Sequence, residues 1–232
     1  MDRPIVPADI KRILRRESGF GCCFCGYPFY EFHHINPWAR KNQHDPEDMM
    51  VVCPNHHHAC TNSAISEDEQ RIAKAKPVNL EEGFIFGKLH VGQQNLLVDI
   101  GSNIIEDTPT IFSSSNNDEV FMGLAINDLG ILELSMSLID GSGNFIGLID
   151  RNEWIVSIPD AWDLEASERF VTLRSGPRNI TVKIDARKYP ITVTGNWKFG
   201  SSSIEVKPST LIVNSNQIAG GRTKCCGSAF GI

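Results

Sequence analysis

The 232-residue chain has no apolar run approaching eighteen residues, so no helical membrane span can be read from it. No charged start followed by an apolar stretch opens it, and no signal peptide is expected. Basic excess is also missing. Twenty-two Lys and Arg against 28 Asp and Glu give a net charge of −6 at pH 7. That balance excludes a basic nucleic-acid coat protein and confines any DNA contact to a local surface. The seven cysteines are an odd set, which argues against a secreted disulfide framework and for a reducing cytoplasm. Histidine is absent after His90, so imidazole chemistry is confined to the first part of the chain.

What is there is concentrated. Cys22-Cys23-Phe24-Cys25, Glu31-Phe32-His33-His34-Ile35 and Val52-Cys53-Pro54-Asn55-His56-His57-His58 fall within fewer than forty residues. Cys22-x-x-Cys25 and Cys53-x-x-His56 are pairs whose two-residue gap lets each grip one ion, and tetrahedral zinc takes four such ligands. Cys23 competes with Cys22, but a one-residue gap to Cys25 suits joint ligation less well. A zinc ribbon that only holds a small fold together would satisfy these four residues. It leaves His33, His34 and His57 unexplained.

The order of these elements is a Cys pair, a strand ending His-His-Ile, an acidic loop, the apolar Met49-Met50-Val51-Val52, a Cys/His pair and a further histidine. It resembles the HNH endonuclease superfamily over roughly residues 18 to 62. The resemblance implies a zinc-stabilised ββα-metal core. It implies His34 as the general base that takes a proton from water, and His33 and His57 as ligands of a catalytic divalent ion. Magnesium or manganese fits such a hydrated site, with zinc or nickel as further options for imidazole ligands. One position departs from the pattern: Asp48 stands where the family usually has Asn. It could orient His34, bind the ion, or merely turn the loop.

Neighbouring residues carry weaker signals. His44, His58 and Cys60 are near in sequence, but no spacing demands them. Trp38 and Arg40-Lys41 could touch a DNA backbone or be solvated surface. Residues 7–16 read as a helix with Ile10, Ile13 and Leu14 on one face and basic residues on the other, which could face phosphates or solvent.

Ser66-Glu67-Asp68-Glu69 is a capping box that opens a short helix stopped at Lys76-Pro77. Past residue 84 the texture becomes short strands, expected at 84–91, 96–100, 120–126, 131–139, 145–149, 154–158, 170–173, 180–184, 191–199 and 203–213. Gly141-Ser142-Gly143-Asn144 marks a hairpin. Ser113-Ser114-Ser115, Asn95, Asn103 and Asn116-Asn117 read as loops. Trp154, Trp162 and Trp197 read as packing anchors. The residues 214–221 are polar and glycine-rich, suited to a domain edge or to pairing with another chain.

The expected fold class is therefore α+β: a nuclease domain at 1–62, a helical linker at 63–83 and an all-β, sandwich-like domain at 84–232. The expected function is a metal-dependent DNA endonuclease with structural zinc, whose β domain oligomerises it or docks a regulatory partner. The alternatives are a non-cleaving zinc-stabilised DNA-binding or scaffold protein, and an effector whose β domain gates the nuclease by binding a partner or small molecule.

Overall fold

The computed structural model describes residues 4–114 and 119–232. Ser115 and Asn116-Asn117, expected as loop, lie outside those described residues. The protein is a mixed α+β chain in which strands dominate and helices are few. It divides into two compact units: residues up to Phe86 with Ser157–Pro159, and Gly87–Val156 with Asp160–Ile232.

The first unit holds α1 (Ala8–Glu17), β1 (Glu31–His34), α2 (Trp38–Lys41), β2 (Met49–Val52), α3 (Pro54–Thr61), α4 (Glu67–Ala75) and α5 (Val78–Glu82), with β3 (Phe84–Lys88) at the boundary. Residues 63–83, expected as a connector, thus lie within this unit and contribute two of its helices.

β1 and β2 pair antiparallel, with Glu31 opposite Val52, Phe32 opposite Val51, His33 opposite Met50 and His34 opposite Met49. Side chains alternate between the faces of a strand, and directly opposed residues share a face. All four residues of β2 are buried, yet they serve two clusters. Met50 and Val52 pack with Cys22, Cys23, Ile35 and Cys53, whereas Met49 and Val51 pack with Leu14 of α1. In α1 itself Leu14 and Arg15 are buried, while Ile13 is 39% exposed. The expected apolar face is therefore rotated: Ile10 and Leu14, one turn apart, carry the packing and Ile13 sits on the flank.

One buried amide ties the loops of this unit together. Asn79 of α5 donates through Nδ2 to the carbonyls of Gly19 (3.1 Å) and Gly26 (3.0 Å). Gly26 closes the Cys22–Cys25 turn with φ of +72°, and a Cβ there would collide with the Asn79 amide.

The second unit is built of β4 (Leu97–Ile100), β5 (Asn103–Glu106), β6 (Thr110–Ser113), β7 (Val120–Ile126), β8 (Leu132–Ile139), β9 (Phe145–Asp150), β10 (Glu153–Ser157), β11 (Asp163–Ser167), β12 (Phe170–Gly176), β13 (Asn179–Asp185), β14 (Ile191–Phe199), β15 (Ser202–Lys207), β16 (Thr210–Val213), β17 (Asn216–Ile218), β18 (Arg222–Lys224) and β19 (Ser228–Gly231). One sheet runs β19-β6-β7-β8-β9-β10, the other β11-β12-β13-β14-β15-β16-β17. The nine-residue β14 is shared. Its first half lies parallel to β4 and its second half antiparallel to β15. Trp197 of the second sheet meets Phe112 and Phe121 of the first, with ring centroids 6.3 and 5.9 Å apart, and is fully buried.

Several local expectations change. The single strand expected over 203–213 is the hairpin β15–β16, because Pro208 cannot donate to a ladder. Asn103, expected in a loop, opens β5 and is buried. Its Nδ2 is shared among the carbonyls of Ile100, Gly101 and Ile218. The 214–221 segment contributes β17, which pairs with β16. Trp154 is buried, whereas Trp162 is half-buried.

Replacing Asn79 with Ala leaves two carbonyls without their donor and is expected to destabilise the zinc-loaded protein by roughly 1–3 kcal/mol. The check is the unfolding midpoint in denaturant; an unchanged midpoint contradicts the bridging role.

Candidate metal centre and histidine cleft

The Cys22–Cys25 turn and the start of α3 meet over the face of the hairpin that carries Met50 and Val52. Cys53 precedes the helix and Pro54 occupies its first turn, where a missing N–H costs nothing. His56 and His57 are neighbours on a helix, so their side chains diverge by roughly 100°. His56 turns to the cysteines, where its ring stacks on Phe24 at 4.9 Å. His57 turns to β1.

The ligand atoms of Cys22, Cys25, Cys53 and His56 all lie within 4.8 Å of one another. His56 Nδ1 is 3.4 Å from Cys22 Sγ and 3.2 Å from Cys53 Sγ, and the Cys25 and Cys53 sulfurs are 3.9 Å apart. A zinc tetrahedron with bonds of ~2.3 Å to sulfur and ~2.0–2.1 Å to nitrogen has ligand edges of roughly 3.5–3.8 Å. The donor set fits, so this cluster could hold a metal such as zinc. Cys23 is outside the cluster and buried in the apolar core, where burial pushes its thiol up to about 11. Burial likewise pushes the Cys22 thiol up to about 12 without a metal. Metal entry must then displace a proton, and affinity falls as the pH falls.

The other histidines lie elsewhere. Strand alternation puts Glu31 and His33 on the face toward α3 and Phe32 and His34 on the other. His33, His34 and His57 nonetheless line one cleft of about 330 Å³, with Trp38, Arg40, Glu67 and Gln70 among its walls. The rings of His33 and His57 stand edge to face at 5.1 Å between centroids. Two imidazoles sharing one ion through bonds of ~2.1 Å have centroids roughly 4.6–5.3 Å apart, so the pair has the spacing to share a divalent ion.

Both rings are oriented from behind. Gln70, buried on α4, spends its Nε2 on the Ile65 carbonyl at 3.0 Å, which turns its Oε1 to His33 Nε2 at 3.0 Å. An acceptor there puts the His33 proton on Nε2 and makes Nδ1 the basic nitrogen. The Glu31 carboxylate pairs with Nδ1 of His57, which leaves Nε2 as the nitrogen of that ring that could ligate an ion. His34 Nε2 is 3.2 Å from His44 Nδ1.

Asp48, expected to orient His34 or bind the ion, is engaged elsewhere. Its carboxylate accepts from Lys41 at 2.6 Å and Arg71 at 2.9 Å, and these bonds hold it below the usual carboxylate range. Its backbone carbonyl accepts from Ile35 N–H at 2.8 Å and so extends the hairpin ladder. Lys41, pushed up to about 12 by Asp45 and then Asp48, is committed to those two carboxylates. Arg40 pairs with Glu67 at 3.0 Å, both side chains well exposed, a contact worth about 0–1 kcal/mol. His58 accepts from Asn62 on the surface, and Cys60 lines the cleft. Sequence reasoning missed Gln70 and Arg71 and set His44 aside as a neighbour. The capping box revealed α4, but nothing in its sequence marks Gln70 as facing a histidine.

Compared with known proteins, the chain matches no family model, no curated protein and no solved structure. No helix of the described residues is long and apolar enough to cross a membrane.

Thiol labelling tests the ligand set. Cys25, Cys225 and Cys226 are all exposed. In zinc-loaded protein only Cys225 and Cys226 should react rapidly, with Cys25 becoming reactive once a chelator strips the metal. Rapid Cys25 labelling before chelation contradicts its ligation. Cys53→Ala should release zinc and unfold the first unit, since structural zinc contributes folding free energy; a folded, metal-replete variant contradicts the cluster.

Proposed function

We propose that the chain is a metal-dependent DNA endonuclease of the HNH type, its first unit a zinc-stabilised ββα-metal core and its second an assembly or targeting module. The observation that carries this reading is the convergence of His33, His34 and His57 on one cleft, apart from the Cys22–Cys25–Cys53–His56 cluster. A closed zinc site needs none of the three. Binding DNA without cutting it does not call for three oriented imidazoles either.

In this reading His34 takes the proton from the attacking water, and His33 and His57 hold a magnesium or manganese ion. A divalent ion bound there supplies Lewis-acid stabilisation of the scissile phosphate and the leaving oxygen. Gln70 and Glu31 keep the two ligating rings in their tautomers and orientations. Arg40, held by an exposed ion pair, is the side chain best suited to exchange Glu67 for a DNA phosphate at the cleft. Asp48 acts on the hairpin rather than on the reacting atoms, through Lys41, Arg71 and its own carbonyl. The second unit, with sheets that end at strands such as β11 and β17, supplies self-association or a regulatory docking edge. The working compartment in this reading is a reducing cytoplasm, in keeping with an odd set of seven cysteines of which three belong to the metal cluster.

Supercoiled plasmid incubated with the full chain and magnesium or manganese should be nicked or linearised. His34→Ala should slow this by about 10²–10⁴-fold while keeping its zinc. Absence of cutting by the wild type under either metal contradicts the nuclease reading and favours a non-cleaving zinc protein. Loss of zinc from His34→Ala contradicts the separation of the two sites.

A further inference from the structure

We propose that His44 is the positioning residue for His34, fixing the tautomer in which Nδ1 is the basic nitrogen. The inference rests on the nuclease reading above and extends it to a residue that the motif spacing did not require.

The argument is a chain of hydrogen bonds read from its fixed end. A backbone carbonyl can only accept. His44 Nε2 lies 2.9 Å from the carbonyl of Pro4, so His44 carries its proton on Nε2. In a neutral ring so protonated, Nδ1 is an acceptor. His34 Nε2 lies 3.2 Å from it and must be the donor, which leaves His34 Nδ1 basic. Carbonyl, His44 and His34 thus form a relay in which each member dictates the protonation pattern of the next. The logic is that of a base oriented by a third group.

Packing holds the relay in place. Trp38 lies 4.7 Å from the His44 ring and 5.7 Å from the His34 ring, while the two imidazoles are 5.2 Å apart. His34 is buried and His44 half-buried. A half-buried polar contact braced by an indole loses less geometry to solvent exchange than a surface one. The Asp48 carboxylate, at the position to which the family pattern gives the orienting task, is bound to Lys41 and Arg71. His44, four residues earlier in the same loop, reaches the ring instead. Asp45 and Lys41 brace that loop through a 2.7 Å ion pair.

The test uses the full-length zinc-loaded protein in two assays. Long-range ¹H–¹⁵N correlation on histidine-labelled protein, with His34 signals assigned by their loss in His34→Ala, reads the tautomer without any need for activity. Plasmid cleavage reads kcat and KM for wild type, His44→Ala and His44→Asn. Asn offers its Oδ1 close to where Nδ1 of His44 lies, and so keeps an acceptor for His34. The expected result is a His34 Nε2–H tautomer in wild type and His44→Asn that is lost in His44→Ala. In His44→Ala kcat should fall about 10–100-fold with KM and zinc content unchanged, and His44→Asn should recover most of it. A His34 Nδ1–H tautomer in the wild type overturns the inference, as does wild-type kcat in His44→Ala beside an inactive His34→Ala. Cleavage by neither wild type nor variants overturns the nuclease reading itself, and the catalytic role of His44 with it.

Discussion

Backbone hydrogen bonds between two four-residue strands set the register from which the chemistry of the first unit follows. With Glu31 opposite Val52 and His34 opposite Met49, the two-residue side-chain period sends Glu31 and His33 one way and Phe32 and His34 the other. A slip of one residue would exchange the faces. His33 would leave His57 and Gln70, and His34 would leave Trp38 and His44. The register is fixed because β2 is buried on both sides: Met50 and Val52 are committed to the cysteine cluster, and Met49 and Val51 to α1. Metal ligation by Cys22, Cys25, Cys53 and His56 would then act as a staple at one end of this hairpin. It would hold α3 in the position from which His57 faces β1.

The four-ligand cluster was legible because ligand spacing is a local property: Cys22-x-x-Cys25 and Cys53-x-x-His56 need only tight turns to converge. The three surplus histidines were legible as a set for the same reason. Their partners were not. Gln70 lies 37 residues from His33, on a helix that reads as a connector, and its role comes from a tertiary contact that no periodicity encodes. His44 is ten residues from His34, but its role depends on the carbonyl of Pro4, forty residues away. Asp48 shows the converse. Its position in the motif suggested a place beside His34, yet Lys41 and Arg71 are better partners for a carboxylate than a neutral imidazole.

In the second unit the alternating strands were the readable ones. β8 alternates buried and half-buried residues along its whole length, and β14 does so along most of it. The strands that escaped notice were short or carried polar residues in unusual places. Asn103 is a loop former by composition but is buried in β5, where its amide nitrogen is shared among three carbonyls. β11 has the sequence Asp-Leu-Glu-Ala-Ser, and only tertiary pairing with β12 makes it a strand. Pro208 marks a turn that splits one expected strand into two. Local punctuation and a two-residue period carry most of what sequence says about such sheets; the order of strands comes from long-range pairing, as in the parallel contact of β4 with β14.

The central claim is that the first unit carries two separate metal sites, a closed one of cysteines and His56 and an open one at His33 and His57. Titrating manganese into the zinc-loaded full chain, followed by the electron paramagnetic resonance signal of free manganese, tests it most directly. The account predicts one manganese bound per chain with zinc retained, and loss of that binding in a His33→Ala, His57→Ala double variant that keeps its zinc. Manganese that displaces zinc, or that binds the double variant as well as the wild type, would contradict it.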